Sequence, residues 1–281
     1  MYPRTDVELH PQLPHAAQFW IPTVNDLEAD EGFGYFDNTW PIFNVPEAEA
    51  REITSIDRSF SVLASNLAAT ELEFDDIATA VETGSADDIN GLSPYQLEEL
   101  APYLTGIISL DNLEIGVAGL VNCLAAAGMY PAASCRGHPG PSAWSPIPVV
   151  FFATDRVHAE LLEPLVRDAG CGFNIGRTRS ELLVIESKSI EGTLDLADAV
   201  LRELSHFTSV SLPTQCSPRY HWRWNDRIAR PSKRPTLAVD HCDRVVTISP
   251  RRHDPTRDEL AFLWDGQTEC CRNKRVVILM S

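Results

Sequence analysis

Hydrophobic residues in the first part of the chain recur every three to four positions, which is the period of an amphipathic helix. This spacing predicts a helix over about residues 47–70 and a second helix over about residues 73–82. The pair Ser93-Pro94 has the pattern of an N-cap followed by a proline in the first turn, which predicts a short helix through Leu104. The apolar stripe of the first helix consists of Ile53, Ile56, Phe60, Leu63 and Leu67.

In residues 111–212 the pattern changes to short apolar runs that alternate with amphipathic stretches. Asp111 and Glu114 resemble a capping box, and the helix that they would open stops at Gly128. The α-β-β-α-β-β-α order predicts an α+β or α/β fold in which a sheet carries its helices on one face. The other predicted elements are strands at 129–135 and 149–152, a helix at 155–169, a hairpin of 173–175 with 182–185, and a helix at 193–206.

The remaining parts of the chain differ from this core in composition. Residues 1–46 combine recurring prolines with many aromatic residues, so we expect an extended arm that lies on the rest of the protein. Residues 47–110 form the acidic helical region, and residues 111–212 form the α/β core domain. Residues 213–281 are a basic extension, in which 245–248 and 276–279 are predicted strands.

The net charge of −17 is unevenly distributed along the chain. Residues 1–112 carry −18, residues 113–212 carry −4, and residues 213–281 carry +5. The acidic part disfavours a phosphate-binding surface, so nucleic acid is not expected as a partner except through the basic tail. The tail can instead pair with the acidic part or with a protein partner.

No apolar run approaches the length of a membrane span, and the N-terminus lacks the charged and apolar segments of a secretory signal. The seven cysteines form no recognisable disulfide framework. Reduced thiols are typical of the cytoplasm, so we expect a soluble cytoplasmic protein without a membrane partner.

The candidate site is the run Ser134-Cys135-Arg136-Gly137-His138, which follows a predicted strand. Cys135 and His138 are candidate catalytic residues, because a histidine stabilises a thiolate and shuttles protons. Arg136 is a candidate anion ligand, Ser134 a local donor, and Gly137 the residue that permits the turn. The alternative is a structural role, with a buried thiol and a histidine bonded to the backbone.

Two further sets of residues are candidate ligands at this site. Arg177 and Arg179 lie in the predicted hairpin turn, where they either join Arg136 in an anion pocket or remain solvated. The Cys135-x-x-His138 spacing suits a metal ion but supplies only two ligands, whereas zinc sites usually combine two such pairs. No second pair is present, so no metal site is predicted. Candidates for additional ligands are Cys123, Cys171, Cys216, His221, His241 and Cys242.

The stretch from Leu124 to His138 resembles a helix–glycine–strand element ending in SCxGH that occurs in bacterial α/β proteins. More distantly, it is similar to the SSCSGR element of the tRNA wybutosine-synthesising methyltransferase family. The sharp matches are Ser134, Cys135 and Gly137, and His138 stands where that family has arginine. The resemblance covers residues 112–206 and implies an α/β domain with a pocket at the run.

These observations lead to two functional hypotheses. In the first, the Ser134–His138 loop binds a small anionic or nucleotide-like ligand, with or without enzymatic turnover. In the second, the chain is a non-enzymatic interaction or regulatory protein that uses its charge-segregated acidic and basic parts. No sequence feature identifies a cofactor, a substrate or a reaction.

Overall fold

A computed structural model describes most of the chain as far as residue 210, namely residues 2–23, 26, 42–84, 92–106, 108, 110, 113–139, 143–177 and 179–210. Beyond residue 210 it describes the backbone of two antiparallel strands, β5 (Thr236–Val239) and β6 (Val245–Ile248). The chain divides into two compact units, and these two strands belong to the second. The predicted strand at 276–279 lies outside the described residues.

The described part of the first unit contains seven helices and four strands. The helices are α1 (Glu47–Leu67), α2 (Glu71–Thr83), α3 (Pro94–Leu104), α4 (Ala118–Ala126), α5 (Arg156–Asp168), α6 (Ile190–Arg202) and α7 (Leu204–Val210). The strands are β1 (Tyr130–Cys135), β2 (Val149–Ala153), β3 (Gly172–Ile175) and β4 (Leu183–Glu186). No described helix is both long enough and apolar enough to cross a membrane.

The four strands of the first unit form one antiparallel sheet in the order β1-β2-β4-β3. Cys135 pairs with Val149, and Phe152 pairs with Leu183. From α4 to α6 the elements follow the predicted α-β-β-α-β-β-α order, and β3 and β4 form the predicted hairpin. The α+β fold class predicted from the sequence is therefore confirmed.

Alternation along the strands separates two packed faces of the sheet. Val150 and Phe152 on β2 join the main core together with buried residues of α1, α4, α5 and α6. Val149 and Phe151 point to the other face, where Cys135 packs beside them. The helices of the core domain thus lie on one face of the sheet, as predicted, and α1 is part of the same core, whereas α2 and α3 pack in a separate cluster.

Residues 2–23 run along the strands and loops of this unit without a helix of their own. The N–H of Phe173 donates to the carbonyl of His10 at 2.7 Å, and the N–H of Trp20 donates to the carbonyl of Thr154 at 2.9 Å. A Cβ atom at Gly172 would lie 2.8 Å from the backbone nitrogen of His10. A glycine at position 172 therefore permits the segment to approach β3 this closely.

Most helix ends agree with the capping signals in the sequence. Ser93 forms a capping box with Gln96 at the start of α3, and Gly84 ends α2 with a φ of 66°. The capping box predicted at Glu114 is wrong, because α4 begins only at Ala118. Asp111 itself lies outside the described residues.

Asp57 of α1 supplies the cap that α4 lacks in its own sequence. Its two carboxylate oxygens accept the N–H of Gly116 at 2.6 Å and the N–H of Gly119 at 2.8 Å. These N–H groups lie at the start of α4, where a helix leaves its donors without partners. A long-range contact from Asp57 thus replaces a local cap, and Glu114 does not cap α4.

Candidate functional site

The predicted run lies at the end of β1 and in the turn that follows it. Gly137 has a φ of 81°, and a Cβ atom there would lie 2.6 Å from the backbone of Ile147. Only glycine adopts this conformation without strain in so little space. The turn is fastened by the N–H of His138, which donates to the carbonyl of Ser145 at 3.0 Å.

Arg136 points inward and is only 2% exposed. Its Nε and one terminal nitrogen donate to Asp75 at 3.1 Å and 2.7 Å, and the latter also donates to Thr79 at 2.8 Å. The other terminal nitrogen donates to both oxygens of Glu82. Because all three guanidinium nitrogens have partners within the chain, Arg136 has no donor left for an external anion.

The three partners of Arg136 occupy one face of α2, at positions i, i+4 and i+7. Burial raises the pKa of Glu82, although the charge of Arg136 opposes this shift. Burial also acts to raise the pKa of Asp75, but hydrogen bonds and charges from His138 and Arg136 hold it below its usual value. In the sequence these residues are only part of the acidic helical region, and their i, i+4, i+7 spacing is the signal that indicates a shared partner.

His138 lies between two carboxylates. Its Nδ1 is 3.0 Å from Asp75 Oδ1, and its Nε2 is 3.3 Å from Glu114 Oε1. Hydrogen bonds to Asp75, Cys135 and Glu114 raise the pKa of His138 to about 11, against a smaller opposing effect of burial. In the absence of another cation, the imidazole is therefore protonated at neutral pH.

Glu114 connects the helical layer to the turn. Its Oε2 accepts the backbone N–H of Arg136 at 2.6 Å, while its Oε1 faces His138. Burial acts to raise the pKa of Glu114, yet the contacts with His138 and Arg136 hold it below its usual value. The sequence analysis missed this residue because the meeting of residues 114 and 138 depends on how α4 packs beside β1.

Cys135 completes a group of three potential metal ligands. Its side chain is 1% exposed, and its Sγ accepts the N–H of Gly137 at 3.4 Å. The ligand atoms of Glu114, Cys135 and His138 all lie within 4.8 Å of one another. Thiolate, imidazole and carboxylate together form a ligand set that zinc prefers over calcium or magnesium.

Ser134 is buried but does not join this group. It pairs with Val150, whose side chain belongs to the core under the helices, whereas Cys135 packs on the opposite face. Adjacent residues of a strand point to opposite faces, so the side chain of Ser134 is directed away from that of Cys135.

Arg177 and Arg179 lie at the other end of the sheet from the turn. The hairpin that carries them follows the pairing of Ile175 with Leu183, while Cys135 pairs with Val149 at the opposite end of β2. Arg177 is exposed, and Arg179 contacts Glu181 and the ring of Trp20. The structure therefore does not bring these arginines together with Arg136.

No protein-family model, curated protein or solved structure matches the chain. The resemblance to the wybutosine-synthesising methyltransferases thus stays a prediction.

Proposed function

We propose that this protein binds one zinc-class divalent metal ion through Glu114, Cys135 and His138. The observation that carries the proposal is the line of contacts from Asp75 through the imidazole of His138 to Glu114, with the sulfur of Cys135 beside it. In zinc sites a ligating histidine commonly donates its other ring N–H to a carboxylate, which is the role of Asp75 here.

The spacing of the ligand atoms supports this proposal. Zinc–nitrogen and zinc–oxygen bonds of about 2.1 Å at a tetrahedral ion place those two ligand atoms about 3.4 Å apart. The observed separation between His138 Nε2 and Glu114 Oε1 is 3.3 Å. The sulfur of Cys135 lies within 4.8 Å of both, so it needs to approach by at most about 1 Å to form a zinc–sulfur bond of about 2.3 Å.

The groups behind the ligands are arranged as a metal site requires. Asp75 accepts from the outer nitrogen of His138, which leaves Nε2 directed at Glu114. The N–H of Gly137 points at the sulfur of Cys135, and the N–H of Arg136 holds the second oxygen of Glu114. Such outer contacts orient the ligands, and removing one lowers metal affinity about 10- to 100-fold.

The electrostatics of the site favour a bound cation. Asp75 and Glu82 contact the guanidinium of Arg136 and Glu114 accepts its backbone N–H, so three carboxylates lie close to one arginine. A proton on His138 supplies the missing positive charge, which is why its pKa lies so far above the usual value. A metal ion on Nε2 takes the place of the proton there and pairs with Glu114, while Nδ1 still faces Asp75.

This proposal revises the roles predicted from the sequence. The absence of a second Cys-x-x-His pair argued against a metal, but the third ligand comes from Glu114 on a different element. Cys135 and His138 act as ligands in this proposal, and Arg136 acts as the support that holds α2 against the turn. The alternative of an interaction protein stays a prediction, because the side chains of its basic tail lie outside the described residues.

The direct test is to measure zinc binding by competition with a chromophoric chelator. When zinc is titrated into protein that has been stripped of metal, we expect one ion to bind per chain. Cys135→Ala and Glu114→Gln should weaken binding by more than the roughly 100-fold upper limit seen for loss of an outer contact. Gln at position 114 retains an oxygen that can accept from the N–H of Arg136, so its fold should be preserved.

The matched control is Cys171→Ala, which removes another buried thiol that lies outside the cluster. Its zinc affinity should equal that of the unmodified protein, and circular dichroism should show that all three variants are folded. Equal zinc binding in Cys135→Ala and the unmodified protein would contradict the proposal and leave the cluster as a structural ion-pair network.

A further inference from the structure

We infer that the proposed metal ion keeps one coordination position open, and that this position takes water or a small anion from solution. This inference rests on the proposed function and names the ligand class of the same site. A site with three protein ligands and one exchangeable position is typical of zinc in catalysis, whereas structural zinc has four protein ligands.

The first argument is the number of ligands that the described residues supply. Asp75 is engaged on the far nitrogen of His138, and Glu82 accepts from Arg136 and from the N–H of Ile115. Neither carboxylate belongs to the cluster of ligand atoms. Among the described residues, three side chains therefore form the cluster, and a tetrahedral ion needs one more donor.

Among the described residues, the two cysteines outside the cluster, Cys123 and Cys171, do not supply that donor. Cys123 lies in α4 and contacts the hydroxyl of Thr54 at 3.1 Å. Cys171 lies at the start of β3, with the carbonyl of Ala169 as a distant sulfur contact. Burial raises the pKa of both thiols to about 12, and neither sulfur belongs to the cluster of ligand atoms.

The second argument is the position of the cluster relative to solvent. The side chain of His138 is 29% exposed and that of Glu114 is 15% exposed, whereas Cys135 is almost completely buried. The cluster thus combines a buried sulfur with two ligand side chains that are partly exposed. An ion held between them is then reached by water along the partly exposed side chains of His138 and Glu114.

The third argument is charge, which determines how water and a small anion compete for the open position. One carboxylate and one thiolate neutralise the two charges of the metal, while the imidazole is neutral when bound. Asp75 and Glu82 add two negative charges and Arg136 offsets one of them, so the site with its metal stays slightly negative. Water therefore fills the open position, and a small anion replaces it only by bonding to the metal ion itself. The small anionic ligand predicted from the sequence is thereby assigned to the metal instead of to Arg136.

The test uses the Co²⁺-substituted full-length protein, because Co²⁺ occupies zinc sites and its visible absorption reports the ligands around it. Azide is added at constant ionic strength, with sodium chloride as the matched addition. We expect a saturable change in the cobalt bands that fits one azide per cobalt. Protein without metal, measured by thermal shift, should not respond to azide.

The outcomes separate this inference from the proposal beneath it. If Co²⁺ binds with a thiolate charge-transfer band but azide changes nothing, the coordination sphere is closed and the inference is wrong. A metal-free protein that azide stabilises equally would place the anion away from the metal and also overturn it. If Co²⁺ produces no thiolate band at all, the proposed metal site itself fails.

Discussion

At the scale of single residues, the unusual feature of this protein is a fully buried arginine that binds its own chain. Arg136 is held by Asp75 and Glu82, and its backbone N–H is held by Glu114. A buried charge is tolerated only when it is paired and hydrogen-bonded, and here every nitrogen has a partner. Arg136 therefore fastens α2 to the end of β1 and positions the residues around His138.

Replacing Arg136 should be strongly destabilising. In Arg136→Met the carboxylates of Asp75 and Glu82 lose their partner, so we expect a loss of about 3–5 kcal/mol in the free energy of unfolding. Arg167→Met is the matched control, because its ion pair with Asp168 is largely exposed and should contribute less than about 1 kcal/mol. Urea denaturation measures both, and equal effects would show that the Arg136 cluster contributes no more than an exposed pair.

At the scale of secondary-structure elements, the positions of helices and strands were predictable, but their polar contacts were not. The spacing of hydrophobic residues predicted α1 and the hairpin of β3 with β4. A helix or strand that buries one face must repeat its apolar residues with its own period. The approach of Glu114 to His138 depends on tertiary packing and leaves no periodic signal. The wrong capping box at Glu114 came from the same cause, since a distant aspartate caps α4.

The turn after β1 provides a test of how strictly one element positions the site. Gly137→Ala introduces a Cβ atom 2.6 Å from the backbone of Ile147 at a φ of 81°. Gly170→Ala is the matched control, because its φ of 68° is similar but nothing lies within 4 Å. The control should lose about 1 kcal/mol from its strained φ, and Gly137→Ala should lose at least about 1 kcal/mol more.

Thermal or urea unfolding gives the two free energies, and zinc titration gives the effect on the site. We expect Gly137→Ala to weaken metal binding while Gly170→Ala leaves it unchanged. If the two variants were equally stable and bound zinc equally well, the close approach to Ile147 would not determine the geometry of the turn.

At the scale of the whole molecule, the charge distribution and the fold are connected. Residues 1–112 carry a net charge of −18, and part of that acidity is turned inward onto Arg136 and His138. The sequence shows that the charge is segregated, but it does not show which carboxylates are buried. Buried and exposed carboxylates have no distinguishing mark in a single sequence. Asp57, which is buried under α4, is a second inward carboxylate and has a measurable consequence.

The stability of the protein should depend on pH through Asp57. Burial raises its pKa to about 7, although the N–H groups of Gly119 and Gly116 act to lower it, while Glu82 adds to the rise. Between about pH 4 and pH 7 the folded state then holds a proton that the unfolded state has lost. The free energy of unfolding therefore falls as the pH rises, by at most about 1.4 kcal/mol per pH unit from this group.

Asp57→Asn isolates this contribution because asparagine does not titrate. We expect the difference in unfolding free energy between the unmodified protein and the variant to shrink steadily from about pH 4 to pH 7. Urea denaturation at several pH values measures that difference, and the many other carboxylates cancel because both proteins contain them. A difference that stays constant over this range would mean that the hydrogen bonds from Gly116 and Gly119 outweigh burial and keep Asp57 ionised.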